Sequence, residues 1–533
     1  MQNSLATANA EYPTGILRTI IVFTCITASL LAMIDSTVVN VSLRHIAGSI
    51  GASTTDIAWV ITAFAISNVI IIPLSGMLSE LFGTKNYFTI SIIIFTIASF
   101  MCGNSTELWE LILWRFIQGL GGGALMTQSQ TILVAAFPPE KLGFASVIYG
   151  IGIAAGPALG PTLGGFITDN YSWHWIFFIN VPLGILAATT SWLTIPNEKN
   201  QKLKGNIDWW GILFLSIGIG SLQYVLEEGN SKNWFDSHII LLFSIIAAAG
   251  LIAFLITESV TKMPAVNIKL MRYRNLAVGV FFNFIMGAIL YIAVYTFPLM
   301  AQINLGWTAT LSGMSLMPGA IMSTIGMIFC KKMMDRGVNP KLLITCGFLC
   351  TFVFGVWMSF QSGDSSFAGL FIPLLFRGLG IGLFMLPAIM MAIAGLKGAD
   401  LGQGAGLSNM AKQLGGAVGL ALIGTHISDM QAMYQSQLSA NINLYSNNSM
   451  GTIQGISHLL QSTGMNADTA GSVCNSVLGM EIMKNSELLS YLSSFRMLAV
   501  ISLLSLSFMF FLRKKKKNQV VEQPKEDVHT EES

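Results

Sequence analysis

Charge is what this chain has least of. Only 10% of its 533 residues are Asp, Glu, Lys or Arg, against about 25% in a soluble domain. Hydrophobic residues make up 53%, and the mean hydropathy is +0.65. That balance excludes a water-soluble globular protein. A net charge of only +2 gives no reason to expect a nucleic-acid partner. No Gly-Lys dipeptide occurs, so there is no P-loop to bind ATP. No HExxH and no CxxC occur either, and no metal site is expected. Five of the six cysteines (Cys25, Cys102, Cys330, Cys346, Cys350) fall in predicted helices as small apolar packing groups, while Cys474 stands alone in a predicted outer loop. A channel would need a filter loop or a ring of charges, and neither is present. Glycine runs follow helices rather than strands, so no enzyme is expected.

What is there is apolar length. A membrane-crossing helix needs about 20 apolar residues. Fourteen such runs occur, centred near 28, 67, 95, 117, 155, 185, 217, 247, 287, 320, 350, 379, 414 and 502. The first is too long, and too poor in a cleavage signature, to be a removable signal peptide. The expected protein is all-α and polytopic. If the N-terminus starts inside, 21 Lys and Arg fall inside, four outside, and three (Arg115, Arg377, Lys412) within spans. Positive residues stay inside, so both termini are expected in the cytoplasm. The cluster RKKKK at 513–517 is an inner topology anchor.

The two halves echo each other. Trp59 and Gly83 lie 24 residues apart, as do Gly313 and Gly337, each pair covering a span and its inner turn. Another span follows, then an arginine: RFIQGLGGGALM from Arg115 and RGLGIGLFMLP from Arg377. Repeated halves with a site between them are a common transporter plan. The expected segments are an N-terminal tail (1–16), a six-helix bundle (17–195), linkers with two inserted helices (196–275), a second six-helix bundle (276–512) and a cytoplasmic tail (513–533). One outer loop is long: 429–490 is polar, with helical periodicity in 450–490.

Two stretches carry chemistry. SLLAMIDSTVVNVSL (29–43) places Asp35 alone among apolar residues. Span one is expected to end near Val41 and span four to start near Glu107. Asp35 and Arg115 then both lie roughly 9–12 Å below the outer boundary. Intramembrane charges pair or face water. The pair is either a static tie between helices or a carboxylate that takes and releases a proton. In GIGIAAGPALGPTLGG (150–165), Gly152, Gly156, Gly160 and Gly164 recur every four residues and form one bare ridge, with Pro157 and Pro161 beside it. Such a ridge permits close helix contact. It is either static packing or a rocking contact between the halves.

These stretches resemble those of the fourteen-helix drug:proton antiporters of the major facilitator superfamily, the EmrB/QacA type. The glycine stretch, with Gly165 at its end, resembles the antiporter motif. SLLAMIDSTVVNVSL resembles the first-helix motif, RFIQGLGGG the fourth-helix motif, and WHWIFFINVPLG (173–184) the sixth-helix entry. WVITAFAISNVIIIPLSGML and GIGSLQYVL look closest to the EmrB branch. The resemblance covers essentially the whole chain. It implies two six-helix bundles with two inserted central helices, in a bacterial inner membrane. It implies export of amphipathic or lipophilic compounds by alternating access, with no cofactor and the proton gradient as driver. Asp35 would be the proton site and Arg115 its partner. It also implies a tripartite pump, with a periplasmic adaptor of the membrane-fusion type and an outer-membrane channel. The same fold could instead carry a specific metabolite, siderophore or lipid, and a non-transporting scaffold is the remaining alternative.

The inner turn departs from the family pattern. Gly76 and Gly83 are kept, Glu80 stands for an Asp, and of the basic positions only Lys85 remains. A gating latch there is weaker by charge. The second half offers Arg377 and Lys412 but no membrane-depth acid, which favours neutral or weakly acidic lipophiles over polycations. Gln118, Asn68, Asn283, Tyr291 and Tyr295 are either cavity-lining groups or interhelical hydrogen-bond partners. Glu227, Glu228 and His426 are expected at solvated helix ends.

Overall fold

The computed structural model describes residues 12–508, apart from 54–55, 197–207, 262–263, 397, 442–446 and 463. The chain is helical, with no strand among the described residues. The first bundle holds α1 (Gly15–Ile50), α2 (Trp59–Phe82), α3 (Thr84–Asn104), α4 (Leu108–Ala135), α5 (Leu142–Asn170) and α6 (Trp175–Thr194). The inserted pair is α7 (Trp209–Glu228) and α8 (His238–Val260). The second bundle holds α9 (Arg274–Ile303), α10 (Ala309–Asp335), α11 (Pro340–Met358), α12 (Phe367–Ile393), α13 (Ala399–Asn441) and α15 (Ala467–Ser507), with α14 (Asn447–Ser462) between the last two. The 513–517 cluster lies outside the described residues. The face where α1 begins is called near, and the opposite face far.

Twelve of these helices are long and apolar enough to cross a membrane among the described residues. The other two expected spans, α4 and α13, are long helices too polar to qualify by composition. They carry Arg115, Gln118, Gln128 and Gln130, and Gln403, Asn409, Lys412 and Gln413, and most of these side chains are buried among neighbouring helices. Interior position makes that polarity tolerable. Glycine allows the approach: a Cβ on Gly121 of α4 would sit 2.9 Å from the Phe95 backbone of α3.

α7 packs on α2 of one half and α13 of the other, and α8 packs on α7. The inserted pair therefore covers one side of the seam between the halves. On the other side of the seam, α5 meets α10.

The segment 429–490 is not a loop over most of its length. α13 continues to Asn441 and α15 begins at Ala467. The two extensions are joined by a Gln431–Glu487 hydrogen bond of 3.3 Å. His426 is therefore not at a solvated helix end: it lies mid-helix, 2.9 Å from Ser493 Oγ. Glu228 is likewise buried and paired with Lys232 at 3.2 Å, and Glu227 accepts a hydrogen bond from Gln223 at 2.9 Å.

Candidate functional site

Asp35 lies on α1 and is fully buried. Arg115 of α4 donates from Nη1 to its Oδ2 at 2.5 Å. Gln118 Nε2 and Asn180 Nδ2 each donate to its Oδ1 at 2.9 Å. Arg115 is held in turn: Nε donates to Val60 O at 3.2 Å, and Nη1 to Gln118 Oε1 at 2.7 Å. Its guanidinium lies 4.2 Å from the Phe64 ring centroid and 5.7 Å from that of Phe177. Ser99 Oγ closes the network, accepting from Gln118 at 2.5 Å and from Asn180 at 3.4 Å. Five helices of one half, α1, α2, α3, α4 and α6, are thus tied into one network around this carboxylate.

Gln118 belongs to this network rather than to a substrate cavity. Asn180, Ser99, Phe64 and Phe177 were not singled out by sequence. Asn180 stands inside the WHWIFFINVPLG stretch, directly after the turn residue Ile179. Pro182 sits in the first turn of the resumed helix, where a missing N–H is tolerated.

The glycine ridge does not meet the other half. Cβ atoms on Gly156, Gly160 and Gly164 would strike Met33, Thr37 and Val38, and Gly152 faces Ser29, all on α1. The ridge brings α5 against the helix that carries Asp35, within one half. Pro161 is buried, and the Pro157 side chain lies outside the described residues. The contact between halves is made by the next face: a Cβ on Gly165 would sit 2.8 Å from Thr310 N, and one on Gly313 of α10 would sit 2.5 Å from Thr162 N.

The halves also touch toward the near face. A Cβ on Gly76 would lie 2.9 Å from the Gln403 backbone. Gln403 donates to Glu80 at 3.4 Å and accepts from Asn267 N at 2.8 Å. Asn409 donates to Gln130 at 2.7 Å and accepts from Tyr149 at 3.2 Å. Gly83 has φ of 82°, which glycine supports without strain. Lys85 lies 4.8 Å from the Trp192 ring centroid, within its own half.

Closure at both faces leaves a central cavity of about 20 Å³ between Ala154 of α5 and Leu290, Val294, Gly319, Ser323 and Arg377 of the second half. Arg377 lines this cavity. Asn283 ties α9 to α12 through Ala388 O at 3.4 Å, and Tyr291 ties α9 to α13 through Gln413 at 3.2 Å. Tyr295 is 42% exposed. Asn68 is buried with neither amide atom hydrogen-bonded. Lys412 is buried on α13, and neither it nor Arg377 has an acidic partner among the described residues. A second cleft, of about 570 Å³, opens at the near face beside Arg18, Lys141, Lys331, Phe137 and Phe144.

Two helical bundles closing on a small central cavity, with a buried ion pair in one of them, define a membrane carrier fold. The Major Facilitator Superfamily profile matches residues 25–420. The fatty acid resistance protein FarB of Neisseria gonorrhoeae is 32% identical over 84% of this chain and 88% of its own length. The multidrug export protein EmrB of Escherichia coli K12 is 30% identical over 91% of this chain and 93% of its own. The solved human organic anion transporter MFSD10 shares the fold, with a TM-score of 0.57 at 11% identity over 92% of this chain and 99% of its own. The chain belongs to the major facilitator superfamily, in its EmrB-type branch.

Proposed function

We propose that this chain is a proton-driven exporter of lipophilic or amphipathic compounds, working by alternating access. The observation that carries the reading is Asp35: a fully buried carboxylate held by Arg115, Gln118 and Asn180. Protonation removes the ion pair, and proton release restores it. α1 also bears the glycine ridge of α5, whose next face meets α10 of the other half. A change at Asp35 is thus one helix away from the far-face contact between halves. The relatives named for multidrug export and fatty acid resistance support the substrate class.

The near face is proposed to lie in the cytoplasm of a bacterial inner membrane, a reading supported by the excess of Lys and Arg there. No cofactor is required, since the gradient supplies the work. The far-face helices α13 to α15 are proposed to dock a periplasmic adaptor that leads to an outer-membrane channel. Deleting 440–485 is expected to spare vesicle transport and remove whole-cell resistance; resistance that survives the deletion refutes the adaptor.

The main test is dye accumulation in inside-out vesicles under imposed pH gradients. Asp35→Asn keeps the shape but cannot release a proton. It is expected to insert normally and lose uphill export. Full gradient-driven export by this variant would make Asp35 structural.

A further inference from the structure

We infer that Arg377 and Ser323 form a binding site for the anionic head of a lipophilic acid, such as the carboxylate of a long-chain acid. The inference rests on the export reading and names a substrate class for it.

Arg377 is 4% exposed, and its Nε and Nη1 have no hydrogen-bond partner. Ser323 is 2% exposed, and its hydroxyl also has none. Both line the same central cavity. The other side chains there, including Ala154, Leu290, Val294 and Ile381, are apolar. The polar side chains facing this space therefore offer hydrogen-bond donors, with a positive charge and no carboxylate. A buried charge without a partner is strongly unfavourable. An anion supplies both the counter-charge and the acceptors. Gly319 makes room for the guanidinium, since a Cβ there would lie 3.1 Å from Arg377 Nη2.

Position suits a substrate. Arg377 is ten residues into α12 from its far end, about 15 Å deep at 1.5 Å per residue. That is close to the middle of a roughly 30 Å hydrocarbon core. The cavity touches both halves, so its size changes as they move. Its present volume of about 20 Å³ holds no more than a water-sized group, and a carboxylate enters only when the halves part.

The approach from the near face follows two helices, α5 and α10, and is closed here where Met327 of α10 packs on Gly150 of α5. The near-face cleft and the central cavity share α5 and α10: Ile148 and Lys331 line the first, Ala154 and Ser323 the second. Ile148 and Ala154 are six residues apart, about 9 Å along the helix. The cleft presents Arg18, Lys141 and Lys331, the last paired with Asp335, together with Glu140 beside Phe137 and Phe144. Arg18 lies over the Phe137 ring at 5.1 Å, and a cation beside an apolar surface suits an anionic head with an apolar tail.

The test uses the full-length protein in nanodiscs of neutral lipid, with radiolabelled dodecanoate as probe and dodecanol as its neutral control. Arg377→Gln is expected to weaken dodecanoate binding at least tenfold, Arg377→Lys less, and Ser323→Ala about threefold. Dodecanol binding is expected to be unchanged in all three. Thermal unfolding checks that each variant is folded. Replacing chloride by gluconate distinguishes a halide site: the proposal expects the Arg377 effect on dodecanoate to persist without chloride. Equal dodecanoate binding by wild type and Arg377→Gln overturns the proposal. So does an Arg377-dependent chloride site that leaves dodecanoate binding unaffected. Dodecanoate and neutral-dye export are then measured in vesicles. Loss of dodecanoate export by Arg377→Gln with dye export retained supports the site. If Arg377-dependent binding is found but wild type exports neither compound, the export reading fails and the site stands.

Discussion

Arg115 and Arg377 occupy matching places on the fourth helix of each half, and their surroundings differ. Arg115 has Asp35 at 2.5 Å, two further hydrogen bonds and two aromatic faces. Arg377 faces Leu290 and Val294 of α9, the helix that corresponds to α1. One half thus neutralises its arginine within the protein, and the other leaves the charge open to the central cavity. A duplicated frame thus carries a buried ion pair in one half and a cation without an acidic partner in the other. The difference lies in what the first helix of each half contributes.

Removing the paired arginine is expected to have the largest effect. Arg115→Ala strands Asp35 without a counter-charge, and breaking such a pair costs about 3–5 kcal/mol. Thermal unfolding in detergent should fall sharply and export should vanish, while Arg115→Lys keeps part of both. A change in unfolding no larger than that of an Arg377 variant would erase the contrast between the halves.

The next largest effect separates packing within a half from contact between halves. Gly156→Leu forces a side chain into Met33 of α1, and overpacking of this kind costs about 1–3 kcal/mol. Gly165→Leu meets Ala309 and Thr310 across the seam instead. It is expected to hold the far face open with little loss of unfolding temperature. Cysteine accessibility near Thr310 reads the opening, and equal destabilisation by the two variants would contradict the assignment of the two faces.

Arg377→Leu is expected to be neutral or mildly stabilising, because it replaces an unpaired buried charge by an apolar group. Strong destabilisation would reveal a partner for this arginine. The smallest effect belongs to the near-face latch. Glu80→Gln retains a hydrogen-bonding group toward Gln403 at 3.4 Å, so stability should change by no more than about 0.5 kcal/mol. A large loss of transport by this variant would mean that the charge, rather than the contact, controls the latch.

Helix count, the six-two-six order and the two arginines were legible because apolar length and lone charges are local signals. Their depths along the helices also brought Asp35 and Arg115 into register. The partner of the glycine ridge was not legible: a four-residue repeat defines a bare face but not which helix covers it. Asn180 was missed because one amide among aromatics has no periodic signature. For Asn283 and Tyr291 both readings stayed open, because sequence does not distinguish a residue facing a void from one facing a neighbouring carbonyl or amide. The continuation of α13 and α15 through 429–490 was obscured by polarity, which marks exposure to water as readily as it marks a loop.

The length of α13 has a mechanical consequence. It runs 43 residues without a break, from beside the Gln403 contact to Asn441. At 1.5 Å per residue this is a rod of about 64 Å. A rod pivoting where it crosses the bilayer magnifies whatever happens at its base. A tilt of about 10° moves one end by about 10 Å relative to the other. A release of the Gln403–Glu80 contact at one surface would then be displayed as a stroke at the opposite surface. A distance label on exposed Gln435 would follow the cycle as a pointer, and a binder that clamps α13 to α15 there would stall the protein without touching Asp35.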